Sequence, residues 1–373
     1  MVEWIDRSKS HINRKSNVQK NACGKGTVMK LMLAMSGGVD SSVAYTLLKD
    51  KYEIIGATMS LFDGAKAACE EARAVAERFG IPHHVFDFKE RFRHDVIKSF
   101  VNSYINGETP NPCVVCNKHI KFGVLLEAAK SLGCGFMATG HYARVEFDKG
   151  GGRYLLKKAL TAKDQSYVLY GLSQEQLSRV VFPLGNLDKA QVRKLARENG
   201  LDADKPDSQD ICFIPDGDYA GYIKRYTGKS PESGNIINKT GEILGKHNGI
   251  INYTIGQRRG LGLAAPAPLY VTGKDASSNT VTAGVNSELF SSRLHARELN
   301  WIAFSGLHET LRLHAKTRYS GQEQPCTVSP IDSDRVHVAF DSPQRALTPG
   351  QSIVFYDGEA VVGGGTIQLT VDN

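Results

Sequence analysis

The sequence has no run of about 18 apolar residues, so no segment is expected to span a membrane. Its N-terminus also lacks the apolar core of a secretory signal, and a cytoplasmic location is expected. Internal repeats and low-complexity linkers are missing as well. The seven cysteines are odd in number and without a secretory context, which excludes a disulfide framework and points to reduced thiols. There is one Cys-x-x-Cys and no second, so a zinc ribbon is excluded. Positive charge is scarcer than it looks. The net charge is +7, but residues 1–28 carry +4 of it and leave +3 for the rest, which is weak support for nucleic-acid binding.

What is present is a chain of 373 residues with 41% hydrophobic content, enough for two or three domains with their own cores. Residues 1–28 are polar and basic without hydrophobic periodicity, and are expected to be a disordered leader or an upstream mis-start, with Met29 a functional start. Glu3 and Asp6 in this segment argue against a mitochondrial presequence.

The stretch Ser36-Gly37-Gly38-Val39-Asp40-Ser41-Ser42 lies between the apolar run Leu31 to Met35 and a helical pattern from Val43 to Leu48. Strand, glycine loop and helix in that order place unpaired N–H groups and a positive dipole end in the loop, which suits phosphate. The loop lacks both the Gly-Lys-Ser/Thr of a Walker motif and the Gly-x-Gly-x-x-Gly of a dinucleotide fold.

From Lys30 the pattern predicts strand 30–35, helix 40–50, strand 53–59, helix 65–79, strand 83–88, helix 90–105, helix 118–131 and strand 135–139. This is a doubly wound parallel α/β sheet, whose ligand would sit beyond the carboxyl ends of the strands, where the glycine loop, Met59 and Gly140-His141 emerge. A hairpin around 148–152 and helices near 173–179 and 188–199 are expected to close this unit. A small β-rich central unit and a C-terminal β-barrel follow, giving expected divisions at 29–217, 218–286 and 287–373. Barrel strands are predicted at 297–302, 311–319, 325–329, 335–340 and 352–356. In the second of these Arg312, His314, Lys316 and Arg318 alternate, so one face would meet phosphates. Tyr319 beside it is placed to stack on an unpaired base, and Arg258-Arg259 between glycines adds a basic spot.

Thr109-Pro110-Asn111-Pro112-Cys113-Val114-Val115-Cys116 reads as an extended loop with Cys-x-x-Cys at the head of the next helix, where the dipole would lower the thiol pKa. Cys69, Cys134 and Cys326 read as buried small hydrophobes, and Cys212 stands about a hundred residues further on.

The glycine loop resembles that of the PP-loop ATP pyrophosphatases. With TPNPxxxCNKxIKF, ATGHYAR, KDQSYxLY, DSxxICFI, TIGQRRGLG and TPGQSxVFY, the chain from about Met29 to Gly365 resembles the tRNA-specific 2-thiouridylases, which convert the wobble uridine of certain tRNAs to 2-thiouridine. That resemblance implies that Ala34, Met35, Ser36, Gly37, Gly38, Val39, Asp40 and Ser41 hold the ATP phosphates with Mg²⁺. Met59 and Gly140 would line the adenosine, Cys116 would be the nucleophile and Cys212 would carry a persulfide. Asn111, Pro112 and Cys113 would border the target base. His141, Lys163, Asp164 and Gln165 would touch tRNA, and Arg318, Tyr319 and Gln351 would hold the anticodon arm. It further implies tRNAs of the lysine, glutamate and glutamine type as substrates, a cysteine desulfurase or sulfur-relay donor or free sulfide, a monomer, and a disulfide among the family's features.

One departure stands out. The best-known members carry an acidic residue where this chain has Cys113, so Cys113, Cys116 and Cys212 supply three thiols, enough to ligate a [4Fe–4S] cluster with one open iron. The loop after Met59 is also short beside the family. Two rival readings are a PP-loop ligase or amidotransferase acting on a small molecule, and a non-catalytic nucleotide-dependent tRNA binder. The first has no use for the basic strand or the spaced thiols, and the second would leave reactive cysteines idle beside ATP.

Overall fold

A computed structural model describes residues 28–205 and 211–368. Nearly all of the expected leader lies outside the described residues, as do Asp207 to Asp210 ahead of Cys212.

The strand Lys30–Ala34 carries Leu31, Met32 and Leu33, all fully buried, which is the two-sided burial that a helix-covered parallel sheet demands. The sheet order is His83–Asp87, Glu53–Ser60, Lys30–Ala34, Phe136–Ala138, Val180–Val181, with every pairing parallel. The chain builds outward from its first strand and then crosses to the other side. The ends of Lys30–Ala34 and Phe136–Ala138 therefore flank the crevice where such sheets bind ligands. Val180–Val181 was not anticipated, because two residues are too few to show a period.

Two helices differ from expectation in an informative way. The helix predicted over 118–131 begins at Pro112 and continues through Pro112–Cys116, Asn117–Val124 and Leu125–Ser131, the middle portion in wider π turns. Pro112 is tolerated at the first helical position and Asn111 caps it, accepting from the Cys113 N–H at 3.2 Å. The prolines thus start a helix rather than prolong a loop, and both cysteines lie in its opening turns. Lys89–Phe92, Arg93–Ile97 and Lys98–Ile105 likewise form one helical run with a π segment.

After helix Tyr219–Thr227 comes a four-stranded sheet ordered Tyr270–Asp275, Thr280–Gly284, Gly234–Ile237, Ile243–His247. Its Ile236 and Val271 share a core with Ile223 and with Phe92, Phe100 and Tyr104 of the first unit. The third sheet closes on itself: Phe290–Trp301, Val336–Arg345, Gln324–Pro330, Leu311–Lys316, Ser352–Asp357 and Ala360–Gln368, whose last strand pairs back onto the first. This is the expected barrel, with six antiparallel strands around Leu294, Val328, Val338, Phe355 and Ile367.

Three expectations are corrected here. The strand predicted to reach Tyr319 ends at Lys316. Ala360–Gln368 was missed because Gly363-Gly364-Gly365 reads as a turn, yet these glycines sit where neighbouring backbone leaves no space for side chains. The hairpin Ala143–Asp148 and Arg153–Lys158, expected to close the first unit, instead adds to the barrel sheet through Lys157 opposite Ala360.

Candidate functional site

The helix Val39–Leu48 follows directly on the central strand, with Gly38 as an extended N-cap and Gly37 at φ 71°. Its first-turn amides have no intrahelical acceptor and point into the crevice. The hydroxyls of Ser41 and Ser42 donate to the Gly38 carbonyl at 3.0 and 2.9 Å, and Ser36 N–H points at Ser41 Oγ at 3.4 Å. Gly140 lies against this turn, where a Cβ would come within 3.0 Å of Asp40 Cβ and Ser41 N. A side chain at 140 would push the end of strand Phe136–Ala138 away from the start of the helix.

Three lysines surround the loop. Lys205 Nζ is 3.3 Å from the Gly37 carbonyl and 2.5 Å from Glu71 Oε2. Lys189 Nζ donates to Asp40 Oδ1 at 2.7 Å, and Lys163 Nζ is 3.6 Å from Asp40 Oδ2 and 4.8 Å over the Tyr142 ring. Tyr142, fully buried, donates its hydroxyl to Asp40 Oδ1 at 2.7 Å. A cavity of about 250 Å³ opens beside the loop, lined by Gly37, Gly38, Val39, Ser42, Arg78 and Lys205 among others. Ala34 and Met59 do not line this cavity; they are half-buried and packed against the core.

Cys113, Cys116 and Cys212 are free thiols within electrostatic reach of one another and of Lys121. Cys113 and Cys212 show a face to solvent but are walled in on their other sides. Burial raises both thiols and pushes Cys116 up to about 12, against the pull of Lys121. The expected lowering by the helix dipole is thus overturned: the Cys113 amide is spent on the Asn111 cap, and desolvation of a thiolate outweighs what the helix end offers. Among the described residues no disulfide forms, and no group of three His, Cys, Asp or Glu is disposed to hold a metal ion. The three thiols converge without making a ligand set.

KDQSY joins the two centres. Asp164 is held in a turn, accepting from Ala159 N–H, Ser166 N–H and the Ser166 hydroxyl. Gln165 Oε1 accepts from Tyr142 N–H at 3.0 Å, while the Gln165 side chain bonds the Tyr319 hydroxyl. Tyr319 is 44% exposed, its ring 6.0 Å from that of Tyr167, and feels the charge of Cys113. His141 packs between Phe122 and Phe182 with Nδ1 2.7 Å from Thr139 Oγ1, and burial holds it well below the usual histidine range, so it is neutral near pH 7. Gln351 donates from Nε2 to Thr109 and Pro110 carbonyls at 2.8 and 3.4 Å, tying the barrel to the loop before Pro112.

The basic face is only partly formed. Arg312 is bidentate with Asp341 at 2.8 and 2.7 Å, and Arg318 lies past the strand end, donating to the Arg345 and Ala346 carbonyls. Lys316 and His314 stay on the strand, the histidine exposed, and Arg258 and Arg259 are exposed in their turn. Sequence reading missed Lys189, Lys205, Tyr142, Lys121, Glu108 and Arg297. Lys189 opens a helix capped by Asp188 and Gln191, which in sequence looks like any solvated helix start.

Comparison with known proteins agrees with this arrangement. Family profiles described as a tRNA methyl transferase HUP domain, a tRNA methyl transferase PRC-barrel domain and an aminomethyltransferase beta-barrel domain match residues 29–216, 220–285 and 291–367. A tRNA-specific 2-thiouridylase of Clostridioides difficile is 47% identical over 356 residues, covering 92% of this chain and 99% of that one. Those of Acetivibrio thermocellus and Symbiobacterium thermophilum are 48% and 46% identical, covering 91% and 95% of this chain and 99% and 96% of theirs. A glycine loop at the switch point of a parallel sheet and full-length similarity at this level lead to one conclusion: the chain belongs to the tRNA-specific 2-thiouridylase family of tRNA-uridine 2-sulfurtransferases.

Proposed function

We propose that the protein thiolates the wobble uridine of tRNA at C2, using ATP to adenylate the C2 oxygen and releasing pyrophosphate and AMP. The observation that carries this reading is the hydrogen-bonded path that leads from the phosphate loop toward the thiols: Asp40 to Tyr142, Tyr142 to Gln165 and Gln165 to Tyr319, which lies within electrostatic reach of Cys113. An ATP α-phosphate at one end and a base near the other would meet across a few side chains, which is the proximity a two-stage transfer needs.

In the first stage the helix amides and Ser41 cradle phosphate, and Lys163, Lys189 and Lys205 supply positive charge for the departing pyrophosphate. Asp40 is the one carboxylate directly on the glycine loop, and its oxygens already face Lys163, Lys189 and Tyr142. That donor set fits Mg²⁺ held chiefly by the ATP phosphates, where it would neutralise their charge. The uridine reaches the site by leaving the anticodon loop, at modest stacking cost in a single-stranded segment. In the second stage sulfur displaces AMP at C2. The outer sulfur of a Cys212 persulfide, loaded by a cysteine desulfurase or sulfur-relay protein, attacks C2 as AMP leaves. Cys116 is the nucleophile that then attacks the Cys212 sulfur, breaking the S–S bond, releasing the 2-thiouridine and leaving a Cys116–Cys212 disulfide that an external thiol reduces before the next turnover. The three thiols do not present a metal-ligating set, so no step is assigned to an iron–sulfur cluster. The division into units 29–217, 218–286 and 287–373, action as a monomer, a cytoplasmic location and tRNAs of the lysine, glutamate and glutamine type belong to the same reading.

The test is pyrophosphate release and 2-thiouridine formation, read by mass spectrometry, on wobble-uridine tRNA with and without a persulfide donor. Pyrophosphate release that depends on tRNA, with thiolation that needs the donor and is lost in Cys116→Ser and Cys212→Ser, is the expected result. Pyrophosphate release driven by a small-molecule acceptor and indifferent to tRNA would overturn it.

A further inference from the structure

The segment between helix Lys98–Ile105 and Pro112 carries no secondary structure of its own, yet its backbone groups are not left to solvent. Thr109 N–H donates to the Pro349 carbonyl at 2.8 Å, and the Thr109 carbonyl accepts from Gln351 Nε2 at 2.8 Å. Both polar backbone groups of this residue are therefore satisfied by the barrel, some 240 residues away in sequence. The barrel's own turn is held in turn by its last strand, with Gly350 N–H donating to Ile367 and Ile367 N–H to Gln351. Gly350, at φ 85°, sits so close that a Cβ would lie 2.8 Å from Glu108 Cβ and 2.9 Å from Thr109 N.

Glu108 completes the junction. Its Oε1 accepts from Arg297 Nη2 at 2.7 Å, both side chains being about one-quarter to one-third exposed. Arg297 lies on the first barrel strand opposite Thr366, beside a register shift at which Glu298 takes φ 54°. On the other side, the central sheet brings Lys274, whose Nζ donates to the Tyr253 carbonyl at 2.9 Å. Burial pushes its amine down to about 8 while Glu108 favours the charged form. Glu108 is thus ion-paired to the barrel and within electrostatic reach of the central sheet, four residues before Pro112 and five before Cys113.

We propose that Glu108, Arg297 and the Pro349-Gly350-Gln351 turn form a clamp that sets the pose of Asn111 to Cys116, so that the barrel is part of the catalytic centre and Glu108 and Arg297 are positioning residues for the thiols. This inference rests on the thiolation reading above. The helix bearing Cys113 and Cys116 begins at Pro112, so a shift of the preceding segment translates the cysteines along with it. A misplacement of about 1 Å is enough to cost roughly a hundredfold in rate.

The experiment compares wild type with Arg297→Met, Glu108→Gln, the double variant and Arg297→Lys. Thiolation kcat, the KM for tRNA, iodoacetamide labelling of Cys113 and Cys116, and thermal melting are measured on each. Wild-type thiolation is established first, so that its absence counts against the function and not against the clamp. For Arg297→Met we expect kcat to fall about tenfold or more with the tRNA KM within about twofold, and labelling of the two cysteines to change. The double variant should be no worse than the worse single one, as for partners in one contact, and Arg297→Lys should recover part of kcat. A folded Arg297→Met with unchanged kcat, or a loss lying wholly in the tRNA KM, overturns the proposal. Should Arg297→Met fail to fold, Glu108→Gln, which keeps shape and removes charge, decides by the same criteria.

Discussion

Cys116 offers the sharpest physical prediction. Its thiol is pushed up to about 12 by burial, with Cys113 and Cys212 adding to the rise and Lys121 opposing it. The thiolate is the reacting species, and its fraction is set by the distance of pH from pKa. At pH 8 a thiol with pKa about 12 is ionised to about one part in ten thousand, whereas a free cysteine near 8.5 is about one-quarter ionised. Labelling of ligand-free protein with iodoacetamide, followed by peptide mass spectrometry, should therefore find Cys116 at least a hundredfold slower than a free thiol at pH 8. Its rate should climb about tenfold per pH unit to pH 10 without levelling. Lys121→Met removes the opposing charge and should slow the reaction further, by about threefold to tenfold. The linked stability has a definite sign. A thiol whose folded pKa exceeds its unfolded value favours the fold below about 8.5, and that contribution is lost as pH rises toward about 12, so the protein should lose stability on the alkaline side. A labelling rate that levels off near pH 7 to 8 would refute the account and restore a helix-stabilised thiolate.

Asp40→Ala should abolish tRNA-dependent pyrophosphate release, since it removes the loop carboxylate and with it an ion-pair partner of Lys163 and Lys189; retained release would contradict the loop assignment. Lys316→Glu should weaken tRNA binding and flatten its salt dependence, whereas Arg312→Ala should change it little because Arg312 is already occupied by Asp341; filter binding across salt concentrations separates the two, and equal losses would argue against this division. Protein purified without oxygen should contain no stoichiometric iron, and Cys113→Asp should keep thiolation with a persulfide donor. Iron and sulfide near four each per chain, lost in Cys113→Ser, would reinstate the cluster.

Local chemistry was readable from the residues themselves. The run Leu31 to Met35, the glycine loop and the pattern over 65–79 announced strand, anion site and helix, because burial period and backbone freedom are properties of a few neighbours in sequence. The order of motifs likewise told the family. Tertiary structure decided what depends on distant neighbours. Whether Cys116 is a thiolate turns on what surrounds it, and desolvation reversed the sign that helix position suggested. Arg312 reads as a phosphate contact until Asp341 arrives from another strand. Glu108, Arg297 and Lys189 had no signature at all, since a single charged residue carries no period, and only the packing of barrel, central sheet and parallel sheet gives each a partner.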